Sequence, residues 1–151
     1  MKIKKNIPLI DQHDKFGFWG GKFGGNFIPE TLKRPVEDLE ILFKKLRKDK
    51  KFIKERDYYF KNWLNSPTRF IKLHNLTNYL GGAQIWAKVV SDLNGGAHKS
   101  LNATVHCLIA KRSGKKSVCG DTGAGYAGKM LSMAAKKFRL KCKIFMGAKE
   151  Y

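Results

Sequence analysis

The sequence predicts an α/β fold in which a partial parallel sheet is flanked by helices. Segments between residues 84 and 146 alternate in the order strand, helix, strand, helix, strand, and connections of this kind join parallel strands. A chain of 151 residues with 42% apolar residues can bury the core of one domain, 1–151. Because no apolar run is long enough to span a bilayer, a membrane protein is excluded at this stage.

The first half of the chain is predicted to be mainly helical over 16–80, after a loose polar arm over 1–15. Residues 16–25 alternate aromatic residues with glycines, which predicts a kinked segment whose rings pack on the protein body. Pro35 suits the first turn of a helix. Apolar residues follow it at helical spacing: Val36, Leu39, Leu42, Phe43 and Leu46.

Two more helices are predicted before the sheet begins. The first covers 52–64, and the turn-forming sequence at 65–68 ends it. The second covers 73–80 and stops at Gly81 and Gly82.

The last part of the chain, 81–151, carries the predicted strand-helix unit. Residues 84–90 form a strand candidate rich in Ile, Trp and Val. The other elements are a helix over 101–112, a strand over 116–120, a helix over 125–140 and a strand over 142–146. The first of these helices is predicted to bury Leu101, Val105, Leu108 and Ile109.

A glycine-rich stretch, Asp92 to Lys99, precedes that first helix. Its two glycines let the backbone come close to a neighbour, and His98 and Lys99 stand side by side at the expected helix start. We expect Lys99 at a buried position, where desolvation lowers the pKa of its amine and frees it to attack a carbonyl. The stretch therefore indicates Schiff-base chemistry.

A second glycine-rich stretch, Gly120 to Gly128, connects a predicted strand to a predicted helix. The free N–H groups and the dipole of a helix N-terminus attract anions. We expect this loop to bind a carboxylate.

Together these motifs resemble the N-terminal portion of the tryptophan synthase β subunit, a fold-type II pyridoxal-phosphate enzyme. The matching segments run in the family's order, from residue 16 to the last residue. They are Phe23 to Leu32, Gly81 to Trp86, Asp92 to Asn94 with Gly96 to Lys99, Ala110 to Arg112 with Gly114 to Lys116, Thr122 to Gly125, and Met146 to Ala148.

The resemblance implies a lyase that uses pyridoxal 5'-phosphate to condense L-serine with indole into L-tryptophan. Lys99 would be the Schiff-base lysine, and His98 would stand beside the cofactor phosphate. Asp121 would be the acid–base residue. The residues implied to bind the substrate carboxylate are Thr122, Gly123, Ala124, Gly125 and Tyr126.

Several positions depart from the family pattern. Asp121 stands where the family has Glu, and its stem is shorter by roughly 1.5 Å. Tyr126 and Ala127 replace Gln-His, and one residue is gained before Asp92 and another lost before Gly95. The family also continues well beyond Tyr151, with a phosphate-binding loop and a serine for the pyridine nitrogen. We therefore expect weak or no activity from this chain as an isolated fragment.

Two other interpretations stay open. The chain could serve as a non-catalytic interaction module that docks on a tryptophan synthase α subunit or on a separate C-terminal half; the resemblance also implies a β homodimer partner. The net charge of +19 would suit nucleic acid, but the basic residues cluster only at 44–54, so we expect no nucleic-acid partner.

The spacing of the cysteines suggests no metal site. Cys107, Cys119 and Cys142 are widely separated, and we expect three buried, reduced thiols. The basic start of the chain is followed by only a short apolar patch, so it is a poor signal peptide. We expect a cytoplasmic protein.

Overall fold

The computed structural model describes residues 6–149, so the arm expected over 1–15 lies partly outside the described residues. The chain divides into two compact units, Met1–Ile41 and Leu42–Tyr151. None of the helices described is long and apolar enough to cross a membrane.

The first unit contains a 3₁₀ turn at Leu9–Asp11, a small hairpin and the start of a helix. The hairpin pairs β1 (Phe18–Trp19) antiparallel with β2 (Phe23–Gly24). Helix α1 covers Glu30–Leu46, so Pro35 lies inside it and not in its first turn as predicted. The acidic Glu30 suits the positive end of the helix dipole, which explains the earlier start.

The second unit contains the other elements. Helix α2 covers Lys50–Asn62 and is capped by Asp49, whose side chain accepts a hydrogen bond from the Lys51 amide. The elements that follow are β3 (Phe70–Lys72), α3 (His74–Leu80), β4 (Trp86–Lys88), α4 (Lys99–Arg112), β5 (Ser117–Thr122), α5 (Tyr126–Lys137) and β6 (Lys141–Met146). Helix α3 ends at Gly81, as predicted.

The prediction that residues 84–90 belong to the parallel sheet is wrong. Strand β4 pairs antiparallel with β3 in a separate ribbon, with Ile71 opposite Ala87. Backbone hydrogen bonds from Leu73 to Ile85 and from Val89 to Arg69 extend this ladder at both ends. The connection through the seven-residue α3 returns the chain beside β3 in the opposite direction.

Strands β5 and β6 form a parallel pair, and α5 crosses between them. The structure thus confirms the predicted class, a mixed α/β fold with a small parallel sheet and flanking helices. Gly128 allows the close helix–sheet contact, because a Cβ there would lie 2.8 Å from Ile144 Cγ2 and 3.1 Å from Thr122 Cγ2. Side chains alternate along β5: Val118 and Gly120 are half-buried and Thr122 is buried, whereas Cys119 and Asp121 are exposed.

The core of the second unit lies between α4 and α5. Cys107, Leu108, Met130, Ala134 and Ala135 are fully buried in it. The face predicted for α4 is shifted, because Ser100, Ala103 and Thr104 are buried while Leu101, Val105 and Ile109 are only half-buried. Small side chains on both helices allow close packing, and the Thr104 hydroxyl donates to the Ser100 carbonyl at 2.7 Å.

Candidate functional site

Asp92, at the start of the first glycine-rich stretch, is paired with Arg69. The guanidinium donates hydrogen bonds of 2.7 and 2.8 Å to the two carboxylate oxygens. These bonds hold the pKa of Asp92 below its ordinary value. Asp92 therefore ties the stretch to the residue just before β3.

Leu93 and Asn94 also attach the first glycine-rich stretch to the rest of the second unit. Leu93 is buried, with 4% of its surface exposed. The Asn94 backbone amide donates to the Leu64 carbonyl at 3.1 Å, and its side-chain amide donates to the Trp63 carbonyl at 3.0 Å. The Asp-Leu-Asn motif thus anchors the lysine turn, residues 94–98, to the segment after α2.

Gly95 brings this turn against α5. Its φ of +102° is in the left-handed region, and a Cβ at Gly95 would lie only 2.4 Å from Met130 Sδ. A side chain here would be strained and would also collide with α5. The glycine expected to permit a close backbone approach does so towards α5.

Lys99 is the first residue of α4, as the sequence predicts. The expectation that it is buried is wrong, because both Lys99 and its neighbour His98 are exposed. The buried stripe of α4 begins one residue later, at Ser100, whose hydroxyl donates to the Ala97 carbonyl at 2.9 Å. The Lys99 amine is therefore accessible to a solute.

The second glycine-rich stretch directly follows β5. Thr122 ends the strand, Gly123 and Ala124 are exposed, and Gly125 precedes the first residue of α5. No side chain caps the start of α5, so its first N–H groups are free of side-chain partners. This end of the helix can accept an anion.

Thr122 adds a second polar group to this end of the sheet. Among residues 6–149, its hydroxyl is the one buried side-chain polar atom without a hydrogen-bond partner. A buried hydroxyl without a partner is unfavourable by about 1–3 kcal/mol, and such an atom needs a ligand or water to satisfy it. Thr122 directly precedes the Gly123–Gly125 loop.

A cavity of about 380 Å³ opens at the carboxyl ends of β5 and β6. Asp121, Thr122 and Gly123 line it from one strand end, and Phe145, Met146 and Gly147 from the other. In α/β sheets, ligands bind at the carboxyl ends of the strands. Asp121 is exposed in this cavity, which suits exchange of a proton with a bound solute.

Tyr126 joins the two glycine-rich stretches. Its hydroxyl donates to the Gly95 carbonyl at 3.0 Å, across 31 residues of sequence. Helices α4 and α5 therefore begin at the same end of the unit, and the structure brings together the turn before Lys99 and the start of α5. The sequence places Tyr126 in the carboxylate loop, and its change from the family's Gln was the available signal for a further role.

The three cysteines differ in their exposure to solvent. Cys107 is buried, Cys142 is half-buried and Cys119 is exposed, so the expectation of three buried thiols is wrong. Cys119 faces outward because strand residues alternate between the two faces of β5. Burial raises the pKa of the Cys107 thiol to about 11, with a smaller contribution from Cys142.

Comparison with known proteins finds relatives of this chain among curated proteins. No family model matches the chain. Over 136 residues the chain is 43% identical to the tryptophan synthase beta chain of Fusobacterium nucleatum, and the match covers 89% of this chain. It covers 34% of the relative, so the chain spans about a third of that protein's length. The resemblance found in the sequence is therefore confirmed: this chain is homologous to part of a tryptophan synthase beta chain.

Proposed function

We propose that this chain provides the lysine and the carboxylate-binding loop of a tryptophan-synthase-β-type lyase. The reaction would join L-serine and indole into L-tryptophan, and isolated chains would show weak or no activity. One observation carries the proposal: Tyr126 links the turn before Lys99 to the helix start that follows the Gly123–Gly125 loop.

Lys99 would hold the cofactor. Pyridoxal 5'-phosphate, when bound, supplies an electron sink for the substrate carbon. The exposed Lys99 amine can reach an aldehyde from solution, and His98 beside it can meet the phosphate. Both residues stand at the positive end of the 14-residue α4, which favours a dianion nearby.

The loop after β5 would hold the amino acid. The uncapped start of α5 and the unpartnered Thr122 hydroxyl can donate hydrogen bonds to a carboxylate. Asp121, which lines the cavity beside this loop, would donate a proton to the serine hydroxyl as it leaves as water and would take a proton from indole. Its shorter stem than Glu supports slow turnover, since a displacement near 1 Å can lower a rate about 100-fold.

The proposal is tested by covalent trapping. The chain is mixed with pyridoxal 5'-phosphate and reduced with borohydride, and the modified lysines are mapped by mass spectrometry. We expect Lys99 to carry most of the label, and Lys99→Ala to lose it. Lys54→Ala removes an exposed lysine of α2 and is the matched control, with the label at Lys99 unchanged.

An even spread of the label over surface lysines would rule out the proposal. Product formation from L-serine and indole is then measured with the same preparations. We expect a rate well below that of the Fusobacterium nucleatum enzyme under the same conditions.

A second candidate is an interaction module, and the parallel sheet favours it. Within residues 6–149, β5 and β6 pair only with each other, and the outward side chains Cys119 and Phe145 are exposed. Parallel sheets are usually covered on both faces. In this proposal, the part of the beta chain outside the match would cover this face.

Size-exclusion chromatography distinguishes the two candidates. The chain is run alone, with a tryptophan synthase α subunit, and with the unmatched part of the Fusobacterium nucleatum beta chain. Co-elution that is lost in Phe145→Asp supports docking on the sheet, whereas unchanged elution with both partners excludes the module.

A further inference from the structure

The turn before Lys99 is fixed at one end, and its other end is held by one long-range hydrogen bond and by the close approach of Gly95 to Met130. Asn94 is attached to the segment after α2 through its backbone and its side chain. The next two residues, Gly95 and Gly96, both have positive φ, at +102° and +84°. Glycine backbones lose the most conformational freedom on ordering, so this pair is the flexible joint between the anchor and α4.

Tyr126 supplies the long-range hydrogen bond to this joint, whose Gly96 amide also donates to the nearby Leu93 carbonyl at 2.7 Å. Among the described residues, its hydroxyl is the side-chain group from another element that bonds the Gly95–Gly96 backbone, at 3.0 Å from the Gly95 oxygen. Its half-buried ring packs against the core between α4 and α5, so the hydroxyl is held in place. A rigid donor that meets a flexible joint lowers the entropy of the joint in the native state.

The position of Tyr126 in the chain connects this hydrogen bond to the candidate site. Tyr126 is the first residue of α5 and directly follows the Gly123–Gly125 loop. The same residue therefore contacts the turn that leads to Lys99 and continues the loop proposed to bind the carboxylate.

We propose that Tyr126 is a positioning residue, which holds the lysine turn against the start of α5 and so sets the place of Lys99 relative to the Gly123–Gly125 loop. This inference rests on the proposed function, because it assigns Tyr126 to the site that Lys99 would form. It also gives Tyr126 a role through its hydroxyl and not through direct contact with a substrate.

The test compares trapping at Lys99 in wild type and Tyr126→Phe. The variant keeps the ring and loses only the hydroxyl, so the core packing stays. In the trapping reaction the lysine nitrogen bonds to the aldehyde carbon, water leaves, and borohydride reduces the C=N bond. The fraction of label at Lys99 is compared, within each sample, with the fraction at Lys54 and Lys115, which are exposed lysines of other segments.

We expect Tyr126→Phe to lower the labelling of Lys99 by about twofold to tenfold relative to these two lysines, as loss of one hydrogen bond predicts. Amide hydrogen exchange should become faster in residues 94–98 and stay unchanged in the middle of α4. Tyr59→Phe is the matched control, because it removes a hydroxyl from another half-buried tyrosine on the same core. It should change neither readout.

Each result decides between the two proposals. Preferred labelling of Lys99 that is equal in wild type and Tyr126→Phe overturns the positioning role and leaves the proposed function standing. Wild-type labelling without preference for Lys99 overturns the proposed function, and the inference with it. Faster exchange throughout the second unit in Tyr126→Phe also overturns the inference, because the hydroxyl would then stabilise the whole fold.

Discussion

Two ribbons of two strands in the second unit, β3–β4 and β5–β6, differ in how they are covered. In the parallel ribbon, α5 packs on one face of β5 and β6, and Gly128 sits against Ile144 and Thr122. In the antiparallel ribbon of β3 and β4, Phe70 and Trp86 stack on each other at 5.1 Å but remain 62% and 46% exposed. The difference in coverage comes from the crossover helix α5, which packs on β5 and β6.

This difference indicates which ribbon contributes most to stability and lies beside the candidate site. The covered ribbon belongs to the core between α4 and α5, and both glycine-rich stretches stand at one end of it. The exposed ribbon contributes Arg69, which anchors Asp92 and thereby the lysine turn. Substitutions in the two ribbons should therefore have effects of different size.

The largest effect is expected from Leu108→Ala, in the core beneath the covered ribbon. Leu108 is fully buried, and its truncation leaves a cavity that should lower the free energy of unfolding by about 2–5 kcal/mol. Urea denaturation measures the loss. Leu80→Ala, at a 59% exposed position in α3, should change stability by less than about 0.5 kcal/mol. Equal losses in both variants would contradict the contrast between the two regions.

A smaller effect is expected from Gly128→Val, which adds a side chain where α5 meets the sheet. Because Ile144 and Thr122 leave no room for a Cβ, overpacking should lower the unfolding free energy by about 1–3 kcal/mol. Gly82→Val is the control, since the nearest atom to a Cβ there is the Leu80 oxygen at 4.0 Å. A stable Gly128→Val would mean that α5 does not pack closely on β5 and β6.

The pH dependence of stability should report the same core through Cys107. Its folded pKa, about 11, is above the ordinary value of 9.0, because burial disfavours the thiolate. The stabilising contribution is therefore complete below pH 9 and is lost as the pH rises towards 11. The melting temperature of the wild type should fall across this pH range by more than that of Cys107→Ala. Parallel pH profiles for the two proteins would show that the thiol is not buried.

The smallest effect is expected from Phe70→Ala in the exposed ribbon. The substitution removes one cross-strand aromatic pair, worth about 0.2–1 kcal/mol. Urea denaturation followed by circular dichroism gives the change. A loss as large as that of Leu108→Ala would indicate that another part of the protein covers this ribbon.

Much of the site region was predictable because the relevant patterns are local. The strand over 116–120, the helix after Gly125 and the strand over 142–146 appear within a few residues of the predicted bounds, as β5, α5 and β6. Lys99 opens α4 as expected, since apolar spacing and the glycines before it specify a helix start in sequence.

The partner of β4, the exposure of Lys99 and the bond from Tyr126 to Gly95 were not predictable in this way. Each depends on groups far apart in the sequence: β4 meets β3 across α3, and Tyr126 meets Gly95 across 31 residues. The spacing of apolar residues and glycines along the sequence sets the type and bounds of a helix or strand. It does so because it governs the preferred backbone conformation and determines which face of the element is apolar. Which surfaces then meet depends on the packing of all the elements at once, and in this chain small side chains on α4 and α5 set that packing.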